Sequence, residues 1–265
     1  MCKNILAIDI GNSHTKLGLF LDGHLAFTAR SVTDRKRTSD DFAVTLSGVF
    51  AMNKTNIADL NGSVLSSVVS RASDAVICAV ERLTGKRPLI AGPETAGIPI
   101  EVESPERVGT DRITNAVAAA VKYEKPLIVL DLGTATTVTV VSSEGAFIGG
   151  SIYPGVMTSL EALVGAAAQL PHTGIGDPGS VIAKNTVDCI YSGIVYGTAS
   201  MLDGIIGRIE DELGAKATSI ATGGLAHAIV RYCKKCIVYD ANLLLEGLYH
   251  IYMLNAAVDN EDGDF

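Results

Sequence analysis

The sequence predicts two similar α/β domains joined in one chain. Three observations predict it: the length, an internal repeat, and apolar runs that switch from strand to helix spacing in the same order in each half. At 265 residues the chain is long enough for about two domains. Leu6-Ala7-Ile8-Asp9-Ile10-Gly11 returns as Ile128-Val129-Leu130-Asp131-Leu132-Gly133, an offset of 122 residues from Asp9 to Asp131. In that same register Thr15 meets Thr137, Asp22 meets Glu144 and Gly23 meets Gly145. An apolar run ended by an acid and a glycine recurs by chance, but a register held over a further dozen residues points to duplication. The expected domains are residues 1–122 and 123–265, with a cleft between them.

In chain order, Ile5–Ile10 and Lys16–Leu21 are apolar runs of strand length, separated by a Gly-containing turn that carries Asn12, Ser13 and Thr15. Asp22-Gly23 is a tight-turn signal leading into a third strand, His24–Ala29. Helical spacing follows over Asp40–Met52, Ala72–Thr84 and Arg112–Lys122, with Val64–Val69 as a buried strand among them. The second half repeats the order. Strands Leu127–Leu132, Thr136–Ser142 and Ala146–Ile152 turn at Glu144-Gly145, and helical patterns follow over Thr158–Gln169, Thr186–Leu213 and Asn242–Leu254, with a strand at Thr218–Ala221. Thr33–Asp41 reads as a polar loop, whose Arg35-Lys36-Arg37 either meets an anion or is merely solvated, and Asp259–Phe265 as an acidic, frayed tail.

Composition narrows the function. The chain is 48% hydrophobic and 19% charged with 27 glycines, so it buries a sizeable core and is not globally disordered. Twenty-one basic against 29 acidic residues give a net charge of −8, which disfavours a nucleic-acid or anionic-membrane partner. The longest uncharged run, Gly145–Leu160, is broken by Gly149, Gly150, Pro154 and Gly155, so no bilayer span is expected. Met-Cys-Lys-Asn runs straight into an apolar strand and then Asp9, unlike a secretory signal. Five cysteines, an odd number in a chain large enough to fold without staples, suggest a reduced, cytoplasmic protein.

The candidate chemistry sits at the repeated turns. In Asp9-Ile10-Gly11-Asn12-Ser13 and in Asp131-Leu132-Gly133-Thr134-Ala135-Thr136-Thr137, a carboxylate ends an apolar strand and a glycine lets the backbone come close to a ligand. Such turns offer successive N–H groups and hydroxyls to phosphate oxygens, and the acid beside them can hold a metal ion or its waters. Either turn alone is ordinary hairpin chemistry; two in register can grip a polyphosphate from two sides. Gly109-Thr110-Asp111-Arg112 opens a helical stretch, either as a plain cap or as a proton acceptor beside a carboxylate-binding arginine. Thr222-Gly223-Gly224-Leu225 is either a tight turn or a bed for a flat ligand such as adenine, and at Asn185-Thr186 either residue caps the helix or Thr186 also meets a ligand. His14 is an incidental loop residue or a ligand contact. Cys233-Lys234-Lys235-Cys236 lacks the second ligand pair that zinc needs.

With those residues in hand, the chain resembles the type III pantothenate kinases, members of the acetate and sugar kinase, heat-shock ATPase and actin superfamily. The markers, in order, are Asp9-Ile10-Gly11-Asn12-Ser13, Pro105 with Gly109-Thr110-Asp111-Arg112, Asp131-Leu132-Gly133-Thr134-Ala135-Thr136-Thr137, Gly150-Ser151-Ile152-Tyr153-Pro154-Gly155, and Lys184-Asn185-Thr186 with Ser192-Gly193. The resemblance covers nearly the whole chain. It implies two duplicated ribonuclease H-like domains, the actin-like ATPase fold, and ATP-dependent phosphorylation of pantothenate to 4'-phosphopantothenate, the first step towards coenzyme A. It implies that Asp9, Gly11, Asn12, Ser13, His14, Thr15 and Lys16 bind the ATP phosphates and that Thr134 is a second nucleotide contact. It implies that Gly109, Thr110, Asp111, Arg112 and Thr186 meet pantothenate, with Asp111 the base, and that Asp131 holds a monovalent cation, K+ or NH4+. ATP with Mg2+ and a cytoplasmic homodimer with pantothenate near the subunit interface complete the implication. The sequence departs from the family pattern at Ser13, where Thr is usual, at Thr110, where Ala is frequent, and at Val102, where an aromatic often packs over pantothenate. The competing readings are another small-molecule kinase or a phosphohydrolase on the same scaffold, and a non-catalytic regulatory homologue.

Overall fold

The computed structural model describes residues 3–261. Three antiparallel strands come first: β1 (Asn4–Ile10), β2 (His14–Leu21) and β3 (His24–Val32). Helix α1 (Ser39–Met52) follows, then β4 (Gly62–Ser67), α2 (Ser70–Thr84), β5 (Leu89–Ile90) and α3 (Thr110–Lys122). β4 and β5 join the other edge of β1 in parallel, giving the order β3-β2-β1-β4-β5. The second half repeats it. β6 (Leu127–Leu132), β7 (Ala135–Val141) and β8 (Phe147–Pro154) are antiparallel; α4 (Val156–Ala166) and α5 (Thr186–Leu213) follow; then come β9 (Thr218–Thr222), α6 (Ala226–Val230), β10 (Ile237–Tyr239) and α7 (Leu243–Glu261). The second order, β10-β9-β6-β7-β8, is the first one again, read from the other edge.

β1 is apolar on both faces because it lies mid-sheet with helices on both sides. Leu6, Ile8 and Ile10 pack with Phe42, Leu46, Val76 and Val80 of α1 and α2. Ile5 and Ala7 point to the opposite face, with Phe20, Val64, Ile113 and Val117, and with Leu244, Leu245, Leu248 and Ile251 of α7. The caps follow local chemistry. Thr38 and Asp41 form a reciprocal capping box on α1, and Asn185 accepts from the Asp188 N–H at the start of α5. Of the two residues read as caps there, Asn185 is the one that caps. Gly85 and Gly214 close α2 and α5 in the left-handed conformation.

Three expectations change. The chain divides into one unit of residues 1–118 with 243–265 and another of 119–242, so the last segment departs from the expected split at 122/123. The reason is α7, whose apolar stripe completes the core beside β1 and β4. The repeat register also shifts. Gly11 N–H donates to the His14 carbonyl, whereas Gly133 N–H donates to that of Ala135, so the second turn is one residue shorter. Thr15 therefore corresponds to Thr136, both buried, and Lys16 to Thr137. The second copy regains the residue at its next turn, which closes with Ser142 N–H on the Ala146 carbonyl instead of at Leu21–His24. Third, α5 is long and apolar enough to cross a bilayer by composition. Its stripe of Val195, Ala199, Leu202 and Ile206 is buried against β6, β7 and β9, the pattern of a core helix. The expected frayed tail lies mostly outside the described residues, the backbone of 259–261 continuing α7.

Candidate active site

The register places four residues in a row across the first sheet. Arg30 of β3 pairs with Lys16 of β2, Lys16 with Asp9 of β1, and Asp9 with Ser66 of β4. Asp9 lies on the same side of β1 as Ile5 and Ala7, the side that α3 and α7 cover. It is 6% exposed, and Ser66 is fully buried. Beyond Ser66 the row reaches α3: Ser66 Oγ lies 2.9 Å from Thr110 Oγ1, which also donates to the Ser67 carbonyl at 3.2 Å. The start of α3 is thus tied to the strand end beside Asp9.

At that start, Asp111 Oδ1 accepts from Arg112 N–H at 2.8 Å. A side chain at Gly109 would meet Asp111 Oδ1 at 2.5 Å and so would displace the carboxylate from its present place. Burial pulls the Arg112 guanidinium below its ordinary pKa, and the neighbouring Asp111 charge opposes that. Both side chains are half-buried.

The first turn is braced from β3 and the loop after it. Thr33 N–H donates to the Ser13 carbonyl, and Thr33 Oγ1 lies 3.0 Å from Thr15 Oγ1. Arg35 donates to Asn12 Oδ1 at 3.2 Å, and Arg30 Nη2 lies 2.8 Å from His14 Nδ1. Burial, then the charges of Arg30 and Lys16, push the His14 pKa down. The loop Thr33–Asp41 therefore divides. Arg37 is held by Thr45, the Asp41 carbonyl and the face of Phe42, while Arg35 reaches the turn.

In the second unit the equivalent row is Ile152, Thr137, Asp131 and Thr222. Gly223 follows at φ +97°, and a side chain there would meet Asp131 Oδ1 at 2.6 Å and the Leu132 backbone at 2.7 Å. The Thr134 carbonyl accepts from Gly155 N–H at 3.2 Å and from Thr158 Oγ1 at 2.8 Å, which seats the turn on the start of α4. A side chain at Gly155 would meet the Thr134 and Gly133 carbonyls at 2.5 Å or less, so glycine is what lets the start of α4 come this close to the turn. Thr186 stands elsewhere. It opens α5 and lines a cavity of about 410 Å3 with Leu163, Leu170, Cys189, Ile190, Gly193 and Ile194.

The structure thus groups Asp9, Gly11–Lys16 and Gly109–Arg112 in one unit and Asp131 and Thr134 in the other. Ser66 and Arg30 join the first group unannounced; their signal exists only in the strand register. No group of three possible metal ligands occurs among the described residues, and burial beside Asp203 pushes the Cys233 thiol up to about 12.

The type III pantothenate kinase family model matches residues 5–208. A type III pantothenate kinase of Bacillus cytotoxicus is 38% identical over 265 aligned residues, covering 98% of this chain and all of the relative. That of Exiguobacterium sibiricum is 41% identical over 252, covering 95% and 99%. The chain belongs to the type III pantothenate kinases. It is an enzyme that phosphorylates pantothenate with ATP and a divalent metal, in coenzyme A biosynthesis. Neither another phosphotransfer activity nor a silent homologue is favoured. Solved structures place the kinase in the actin-like ATPase fold of duplicated ribonuclease H-like halves. MreB 5 of Spiroplasma citri superposes with a TM-score of 0.55 at 10% identity, covering 98% of this chain and 99% of that one. A ROK hexokinase from Thermus thermophilus does so at 0.54 and 14%, covering 98% and 100%.

Proposed function

We propose that the turn Asp9–Lys16 grips the ATP phosphates and that Asp111 takes the proton of the attacking pantothenate hydroxyl. The observation that carries this reading is the bond between Thr110 and Ser66, which sets the start of α3 at the strand end bearing Asp9. A phosphate-side acid and an acceptor-side acid then belong to one end of one sheet. Phosphoryl transfer asks the protein mainly for positioning and charge stabilisation. Gly11 lets the backbone approach the phosphates, while Asn12, Ser13, His14, Thr15 and Lys16 supply donors. A divalent ion arriving with the nucleotide neutralises phosphate charge. Asp9, a lone carboxylate beside a phosphate turn, suits such an ion better than an all-protein cage would.

Gly109, Thr110 and Arg112 bind pantothenate in this reading, Arg112 through the substrate carboxylate, and Thr186 is a further contact. Thr134 meets the nucleotide, and Asp131 holds K+ or NH4+. The kinase works as a homodimer. Exposed Leu163, which lines the apolar cavity at Thr186, and exposed Met157, Val181 and Ile182 of the same unit support a subunit contact on this unit, and light scattering at twice the chain mass checks the dimer. The four described cysteines are free thiols, in keeping with a cytoplasmic site of action.

Asp111→Asn tests the central role, since it keeps an oxygen to accept from Arg112 N–H while losing basicity. Turnover is expected to fall by about 10²–10⁴-fold, with ATP affinity by calorimetry unchanged. Near-parental turnover would remove Asp111 as the base.

A further inference from the structure

The two copies share a topology but not a charge. Where the first sheet's row reads Arg30, Lys16, Asp9, Ser66, the second reads Ile152, Thr137, Asp131, Thr222. In a chain of net charge −8, the first copy sets Lys16 and Arg30 directly opposite each other, and like charges so placed repel. Arg35 brings a third positive charge to the same turn. Lys16 faces Asp9 across its other neighbour, but among the described residues neither Arg30 nor Arg35 has a carboxylate partner. An anionic ligand at the turn would offset that repulsion.

The two arginines meet polar side chains instead: Arg30 meets His14 Nδ1, and Arg35 meets Asn12 Oδ1. A guanidinium only donates, so both of these atoms are acceptors. Neutral His14 must then carry its proton on Nε2, and Asn12, with Oδ1 engaged, keeps its NH2 for another partner. We propose that Arg30 and Arg35 are positioning residues for the triphosphate, acting through His14 and Asn12. Each guanidinium ties down one acceptor and leaves one donor, His14 Nε2–H or Asn12 Nδ2–H, for phosphate oxygens. This rests on the assignment of Asp9–Lys16 to the phosphates.

Arg30→Met and Arg35→Met keep the aliphatic stem and remove the donor. Both arginines are exposed, so thermal melting should match the parent. Each variant is expected to raise KM for ATP about five- to twentyfold and to leave KM for pantothenate unchanged and kcat within about threefold. Arg30→Lys, which keeps a donor, recovers part of the loss. In a His14→Ala background, Arg30→Met should change KM for ATP by less than about twofold, and Arg35→Met likewise with Asn12→Ala. If the arginine effects persist in full without His14 and Asn12, or are absent with them, the positioning role is overturned. If His14→Ala and Asn12→Ala themselves leave KM for ATP at the parental value, the phosphate assignment of the turn falls, and the proposal with it.

Discussion

Gly223 shows how tightly the acids are boxed in. It holds φ +97°, and a methyl there would press on Asp131 Oδ1 and the Leu132 backbone. Gly224, its neighbour, faces open space. Gly223→Ala is expected to cost about 1–3 kcal/mol in urea unfolding, from backbone strain and displacement of Asp131. Gly224→Ala should stay within about 0.5 kcal/mol of the parent. Equal effects at the two positions would mean that the approach to Asp131 does not matter. Asp9, Asp111 and Asp131 were legible in the sequence because an acid that ends an apolar run, or opens a helical one, stands out by itself. Ser66 and Arg30 were not. Each meets its row through pairing with residues far along the chain, and nothing near position 66 or 30 marks that position as special.

Among the elements, the long strands and helices were legible from their spacing, whereas β5 and β10, at two and three residues, are too short to carry a period. The spacing of α7 announces a helix but not the surface it covers. That surface is written at glycines far away: Gly62 leaves room for Tyr252, Gly97 for Leu254, and Gly247 lies against the Thr114 carbonyl. The junction of α5 and β9 carries an electrostatic prediction. Glu210 sits in the last turn of α5, where a negative charge opposes the helix dipole. It is buried, accepts from Lys235 Nζ at 2.6 Å and Lys216 Nζ at 3.0 Å, and these bonds hold its pKa down to about 2. A carboxylate whose folded pKa is depressed contributes stability that is complete above the unfolded value of 4.5 and is lost as pH falls towards 2. Lys216 is 85% exposed, so solvent screens its share and leaves about 1–2 kcal/mol for the cluster. Glu210→Gln should therefore be less stable by that amount in urea at pH 7, and the gap should narrow on acidification to pH 3. A gap independent of pH would show that Glu210 acts by packing alone.

At the scale of the molecule, one unit is continuous in sequence and the other is not. Residues 119–242 hold their own five-stranded sheet and the core of Ile128, Leu130, Val138, Leu202 and Ala221. Residues 1–118 need the last helix. Leu244, Leu245, Leu248 and Ile251 bury against Ile5, Ala7, Phe20 and Val64, and Tyr249 stacks on Phe20 with ring centroids 4.6 Å apart. Four buried aliphatic side chains at about 1.5–3 kcal/mol each match the whole margin of a small domain, about 5–15 kcal/mol. A fragment of residues 1–122, which completes α3, is therefore expected to show no cooperative urea transition by circular dichroism. Joining it through a Gly/Ser linker to residues 243–261 should restore one, because the missing apolar face returns at high effective concentration. The fragment 119–242 should unfold cooperatively without help. If 1–122 alone gave a sharp transition, α7 would be an accessory to a complete core, and the gene-duplicated halves would be two contiguous domains after all.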